Sequence, residues 1–160
     1  MEPSDWTRWS KRLGPEPLSP SFTGNRLGRT LASSRSPLRS LLLDQRRVAG
    51  VGNIYAVEAL WAARLHPARP SNTVDGRGAK TLHRAIRRIL RQAIEARGTT
   101  LRDYRTAEGE QGGFAPALHA YGREGQPCLR CRTPVERLVL SGRSAFFCPR
   151  CQPAWTEEAS

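Results

Sequence analysis

Lysine is nearly absent from this chain: of 26 basic residues only Lys11 and Lys80 are lysines, and the rest are arginines. Acidic residues number only 14, which leaves a formal charge of +12. That imbalance points to a polyanionic partner, because the planar arginine fork matches phosphate oxygens and base edges. A general habit of using arginine is the alternative source of the bias. No run of about 18 apolar residues occurs, which excludes a membrane-crossing helix of ordinary length. The opening Met1-Glu2-Pro3-Ser4-Asp5-Trp6 lacks the basic-then-apolar order of a secretion signal, so a cytoplasmic protein is expected. Aromatic residues are few, and the hydrophobic fraction is 38%. This suffices for a helical core in one domain, or in two small ones sharing a core, but leaves the smallest part in need of a staple.

Along the chain, residues 1–12 carry Trp6 and Trp9 among polar neighbours without a period and read as a tail. Leu13-Gly14-Pro15-Glu16-Pro17-Leu18-Ser19-Pro20 is a stiff, extended lead-in, since each proline disfavours helix for the residue before it. Ser36 as N-cap and Pro37 at the first helical position predict a helix to about Arg47, with Leu38, Leu41 and Leu42 on one face. Gly50 and Gly52 then permit a tight turn, and Asn53 is placed to cap a second helix carrying Ile54, Val57, Trp61 and Leu65 up to His66-Pro67. Residues 79–96 hold the clearest periodic signal: Leu82, Ala85, Ile86, Ile89, Ala93 and Ile94 make a stripe, with Arg84, Arg87, Arg88 and Arg91 mainly off it. A short further helix is expected near Thr100. Residues 106–126 are glycine-rich and read as a loop, with one helical turn around Ala115 to Leu118. Beyond it, Val135 to Leu140 and Ser144 to Phe147 read as two strands joined at Ser141-Gly142.

The four cysteines carry the most specific signal. Cys128 and Cys131 are separated from Cys148 and Cys151 by sixteen residues, each pair in Cys-x2-Cys spacing with the hairpin between. Two thiolates three residues apart face one cation, and a hairpin returns the second pair to complete a tetrahedron, so one structural zinc ion is expected. Disulfides are the alternative, which a reducing compartment disfavours. Arg143 sits beside the hairpin turn, where it either enters a groove or stays solvated, and Arg130, Arg132, Arg137 and Arg150 make the finger basic. The Gly50 to Asn53 turn opens a helix, and backbone amides there bind phosphate; an ordinary corner between helices has the same pattern. His66 and His119 have no partner at metal spacing and read as surface or capping residues. Glu58 is read as solvated or helix-stabilising in preference to catalytic.

Taken in order, Leu13 to Leu18, Asp44-Gln45, Val48-Ala49-Gly50-Val51-Gly52-Asn53-Ile54-Tyr55-Ala56, Gly98-Thr99-Thr100-Leu101-Arg102-Asp103-Tyr104, Tyr121-Gly122-Arg123 and the four-cysteine finger closely resemble the C-terminal half of bacterial formamidopyrimidine-DNA glycosylases. The likeness covers about residues 13–153. It implies a mainly α fold, a helix-two-turn-helix bundle, followed by a small β-hairpin zinc finger. The divisions expected are a tail over 1–12, the helix-two-turn-helix domain over 13–105, a glycine-rich loop over 106–125, the finger over 126–153 and a tail over 154–160. The resemblance implies that the chain grips damaged duplex DNA around a flipped, oxidised purine in base-excision repair. Asn53 and Arg143 would hold the flanking phosphates, with Gly52, Tyr121 and Arg123 as further DNA contacts, and the loop bearing Gly112, Gly113 and Phe114 would lie over the lesion.

Members of that family also open with a proline whose secondary amine attacks the sugar, followed by a glutamate. Here Pro3 follows Glu2, and a large residue after methionine usually blocks its removal, so Pro3 is an ordinary amide. Arg132 stands where the finger usually has glycine, which predicts mild strain. The expected protein is therefore a DNA-binding half without a catalytic residue of its own, a monomer or a partner to a separate catalytic half. The alternatives are an active glycosylase and abasic-site lyase whose recorded N-terminus is incomplete, and a zinc-finger regulator that binds nucleic acid without a lesion.

Overall fold

The structure, a computed structural model, describes residues 14–106 and 118–155. Among them are four α-helices, one short 3-10 turn and a two-stranded antiparallel hairpin, which is the helical bundle and finger expected above. Helix α1 spans Gly24–Ala32, a segment in which the sequence suggested no element. Its two glycines dilute the helical signal, but the Thr23 hydroxyl caps it, accepting from the Arg26 N–H at 3.1 Å, and Leu27 and Leu31 bury one face.

Helix α2 is shorter than expected, Leu38–Leu43. Ser36 does not cap it. The Ser36 carbonyl instead accepts from the backbone N–H and hydroxyl of Ser71, at 2.9 and 2.7 Å. Asp44 ends α2 early: its side chain accepts from the Arg46 N–H, and its carbonyl accepts from Arg47 and Val48. This is a local side-chain turn that outcompetes one more helical turn. Leu38, Leu41 and Leu42 are buried as the stripe predicts.

Helix α3, Asn53–Ala63, is the central element. Ala56 to Trp61 are all buried, so the helix is enclosed on every side. It stops at Arg64, which adopts a left-handed conformation at φ 61°. Helix α4, Gly76–Thr106, is longer than the 79–96 stripe and absorbs the helix expected near Thr100. The Asp75 carboxylate starts it by accepting from the Gly78 N–H at 2.7 Å. Ala79, Leu82, Ala85, Ile86, Ile89, Leu90 and Ala93 form its buried seam. Ile94, which the stripe included, is 58% exposed, and Leu90 packs in its place. Arg84, Arg88 and Arg91 face solvent, whereas Arg87 donates to the Pro17 carbonyl at 2.8 Å and ties the lead-in segment to α4.

Strands β1, Glu136–Leu140, and β2, Arg143–Phe147, pair antiparallel with Leu140 opposite Arg143. Ser141 at φ 51° and Gly142 at φ 78° form the two-residue connection, the left-handed geometry that matches strand twist. Two apolar clusters result. One unites α1 to α4; the other gathers Val57 and Trp61 of α3 with Ala120, Val135, Ala145 and the cysteines. Helix α3 thus belongs to both cores, and this positions the finger against the helical bundle.

Candidate nucleic-acid interface and metal centre

The connection from α2 to α3 is shaped by one side chain. Gln45 accepts from the Gly50 N–H at 2.6 Å and donates to the Val51 carbonyl, drawing residues 45–51 into a closed turn. Gly50 takes φ 81°, where a side chain would be strained. The turn delivers the N-terminus of α3 to the surface. Gly52 flanks it with no side-chain cap, so its first amides remain open to an anion. Asn53, read from sequence as the cap, is instead the first helical residue. Its side chain reaches the hairpin and donates to the Ser144 carbonyl at 3.0 Å.

The hairpin turn therefore lies over the start of α3. Arg143, the first residue of β2, is exposed beside it. Beneath both sits Arg39 of α2, with no accessible surface, which sequence reading missed. Arg39 donates through Nη1 to Asn53 Oδ1 at 2.9 Å and through Nη2 to the Leu140 carbonyl. Burial, and then the charge of Arg143, lower the Arg39 pKa from its ordinary value. Among the described residues no carboxylate comes within ion-pair distance of Arg39 or Arg143. Two guanidinium groups and an open helix N-terminus thus share one corner without a counter-charge.

Glu58 differs from its sequence reading. It is buried, 3% exposed, and its carboxylate accepts four hydrogen bonds. Oε1 takes the N–H of His119 at 2.7 Å and the His119 ring at 3.1 Å, and Oε2 takes the amides of Ala120 and Tyr121, both at 2.8 Å. Glu58 is thus an anchor for the chain segment that enters the finger, neither solvated nor free for catalysis. His119 stacks on Trp61 at 4.8 Å, and the guanidinium of Arg130 lies 3.7 Å over the Trp61 ring. Arg130 is therefore committed to docking the finger, and the exposed Arg137 pairs with Glu124 at 3.1 Å. Tyr121 packs edge-on against Phe146 at 5.0 Å, and Arg123 donates to the Pro127 carbonyl at 2.9 Å. The His66 ring accepts from the Ala68 N–H and packs on Phe147, a capping role. Gly112, Gly113 and Phe114 lie outside the described residues.

Cys128, Cys131, Cys148 and Cys151 converge, with all four sulfurs within 4.8 Å of one another. Three of the separations are 3.9, 3.4 and 3.6 Å. Tetrahedral ligation at a Zn–S bond of about 2.3 Å sets sulfurs about 3.8 Å apart, so the set fits zinc. Each Cys-x2-Cys turn aims a backbone N–H back at its first sulfur, from Arg130 to Cys128 and from Cys151 to Cys148, both at 3.4 Å. Burial opposes ionisation of Cys128, but the amides of Arg130 and Cys131, together with the Trp61 and Cys148 side chains, outweigh it and hold this thiol at about 6. Cys148 is pushed up to about 12, chiefly by burial. Four protein ligands leave no open position, so the zinc ion is structural. Arg132, in the first turn, takes φ 67°, the left-handed strain its position predicts. Gln152 was also missed. Fully buried, it accepts from the Cys148 N–H and donates to the Leu65 carbonyl, both at 2.9 Å, joining the metal turn to the end of α3.

Residues 13–105 match the family described as the formamidopyrimidine-DNA glycosylase H2TH domain, and residues 125–154 match the zinc finger found in FPG and IleRS. The formamidopyrimidine-DNA glycosylase of Gloeobacter violaceus is 50% identical over 143 residues, covering 89% of this chain and 50% of that protein. The Thermus thermophilus glycosylase is 52% identical over 143 residues, covering 88% and 54%. The chain thus spans about half the length of the curated relatives it matches. The crystal structure of the MutM (Fpg) protein of Thermus thermophilus superposes with a TM-score of 0.79 at 50% identity, over 91% of this chain and 55% of that one. The Lactococcus lactis Fpg in complex with DNA containing an abasic site gives 0.83 at 33% identity, over 96% and 57%. With its helical bundle and its closed four-thiolate finger docked on the central helix, the chain belongs to the formamidopyrimidine-DNA glycosylase family.

Proposed function

We propose that this chain is the DNA-gripping half of a base-excision-repair glycosylase and abasic-site lyase that acts on oxidised purines. One observation carries the reading: Asn53 at an uncapped helix N-terminus, Arg143 and buried Arg39 converge with no carboxylate among the described residues to neutralise them. Such a corner fits the backbone of a duplex kinked around a flipped nucleotide, where charge and fixed donors must meet a phosphate at a defined place. The zinc finger supports the hairpin that carries Arg143, and Gly52 lets the strand approach the helix end. The solved relative named above was captured with DNA containing an abasic site, which agrees in class of partner.

The corner offers only hydrogen-bond donors and positive charge, and none of Asn53, Arg39 and Arg143 is a nucleophile, so the activity proposed for it is binding without chemistry. The test is a paired assay of the zinc-loaded chain on an oxidised-guanine duplex. Preference for the damaged duplex over undamaged DNA and RNA, with no strand cleavage and no borohydride-trapped adduct, is the expected result. Equal affinity for all three would instead favour a general nucleic-acid binder, and a trapped adduct would reveal an amine nucleophile.

A further inference from the structure

Arg39 is the least expected side chain in the fold: a fully buried arginine on a six-residue helix, without a carboxylate in reach among the described residues. Removing a cation from water costs several kcal/mol unless it is well paired. Here the pairing is to two neutral oxygens, Asn53 Oδ1 and the Leu140 carbonyl, and Nε has no partner. Hydrophobic packing alone would be served better by an aliphatic residue at this position, so the guanidinium must do something else.

Its chemistry narrows what that is. A guanidinium only donates, so it can engage just one end of the Asn53 carboxamide, the oxygen. The amide nitrogen is thereby turned toward the hairpin, where one of its two hydrogens goes to the Ser144 carbonyl at 3.0 Å. The same nitrogen carries a second N–H, which can serve an acceptor that arrives at the helix N-terminus. Through its other nitrogen Arg39 grips the Leu140 carbonyl, and Leu140 is the cross-strand partner of Arg143. One buried side chain therefore holds both sides of the Ser141-Gly142 turn, directly at Leu140 and through Asn53 at Ser144.

Resting on the DNA-binding reading above, we propose that Arg39 is a positioning residue. It orients the Asn53 amide and the Arg143 strand end so that two separate elements present their donors to one stretch of phosphate backbone. With no accessible surface it touches no phosphate itself. In the free chain its burial is offset only by the Asn53 oxygen and the Leu140 carbonyl, and a bound phosphate backbone would add a counter-charge near the corner.

The zinc-loaded 160-residue chain carrying Arg39→Met or Arg39→Lys tests this, with zinc content and circular dichroism confirming the fold. Binding to an oxidised-guanine duplex is expected to weaken about tenfold or more in Arg39→Met. Arg39→Lys keeps the charge but has lost the fork, and should recover part of the affinity. In the Asn53→Ala, Arg143→Ala background the Arg39→Met effect should shrink to about twofold or less, because a residue acting through those two has nothing left to position. The side-chain amide resonances of Asn53 should also shift in Arg39→Met. Wild-type affinity in a folded Arg39→Met variant, or an undiminished effect in the double-mutant background, would overturn the inference. Should Arg39→Met fail to fold, the same comparison in Arg39→Lys decides it. Unchanged affinity in Asn53→Ala and Arg143→Ala would overturn the interface reading beneath it, and this inference with it.

Discussion

Single buried polar side chains join the two parts of this chain. Glu58 satisfies three backbone amides and one histidine ring with a single carboxylate, at 3% exposure. Glu58→Gln would turn an N–H donor toward amides that are donors themselves. Leaving buried donors unsatisfied is expected to destabilise by about 2 kcal/mol, read as a lower urea midpoint with an unchanged slope. A midpoint equal to wild type would show that the carboxylate is dispensable. His66 offers a pH test. Burial holds its pKa below the usual histidine value, opposed in part by Glu136. The unfolded state then takes up the proton first, so stability is full above about pH 6.5 and declines as pH falls below it. His66→Asn should flatten that decline relative to wild type in chemical denaturation between about pH 7.5 and about pH 5.5. Identical slopes would assign the acid sensitivity to other groups.

At the scale of elements, α3 organises the fold by lending its Ala56, Ala59 and Leu60 side to the helical core and Val57 and Trp61 to the finger core. Metal and bundle are coupled through this helix, yet the bundle has its own buried cluster. Chelating zinc is therefore expected to abolish DNA binding while most of the helical circular-dichroism signal survives, because residues 128–151 lose the ion that closes their small core. A proportional collapse of the helical signal would show that the two cores fold as one. Zinc binding also displaces thiol protons, so metal affinity should fall on acidification. How far such elements are legible in sequence depends on where their determinants lie. The hairpin was legible because its turn residues and alternating pattern are contiguous. The end of α2 was not: Asp44 stops the helix by accepting from its own neighbours, and an apolar stripe does not report that competition.

For the whole molecule the governing quantity is charge. With 26 basic against 14 acidic residues, the affinity for duplex DNA should fall steeply with salt. The expected log–log slope is about minus five if about five or six phosphates are neutralised. Arg143→Ala should make that slope shallower by about one unit, consistent with one lost phosphate contact. A slope near zero would mean that charge does not drive the association. Guanidinium groups already engaged with the protein itself are less free to add phosphate contacts. Arg130 lies over Trp61, Arg87 holds the lead-in segment, and Arg137 pairs with Glu124.

The zinc ligands, the glycine turn before α3, the hairpin and the family follow from the order of residues alone. Each is encoded by neighbouring residues whose spacing must satisfy one metal, one backbone conformation or one pleat. The roles of Arg39, Glu58 and Gln152 emerge only when the chain is folded. Their partners lie far away along it, 101 residues for Arg39 to Leu140, 61 to 63 for Glu58 to its donors, and 87 for Gln152 to Leu65. A buried polar side chain is identified by the groups that satisfy it, and those groups become its neighbours through tertiary packing.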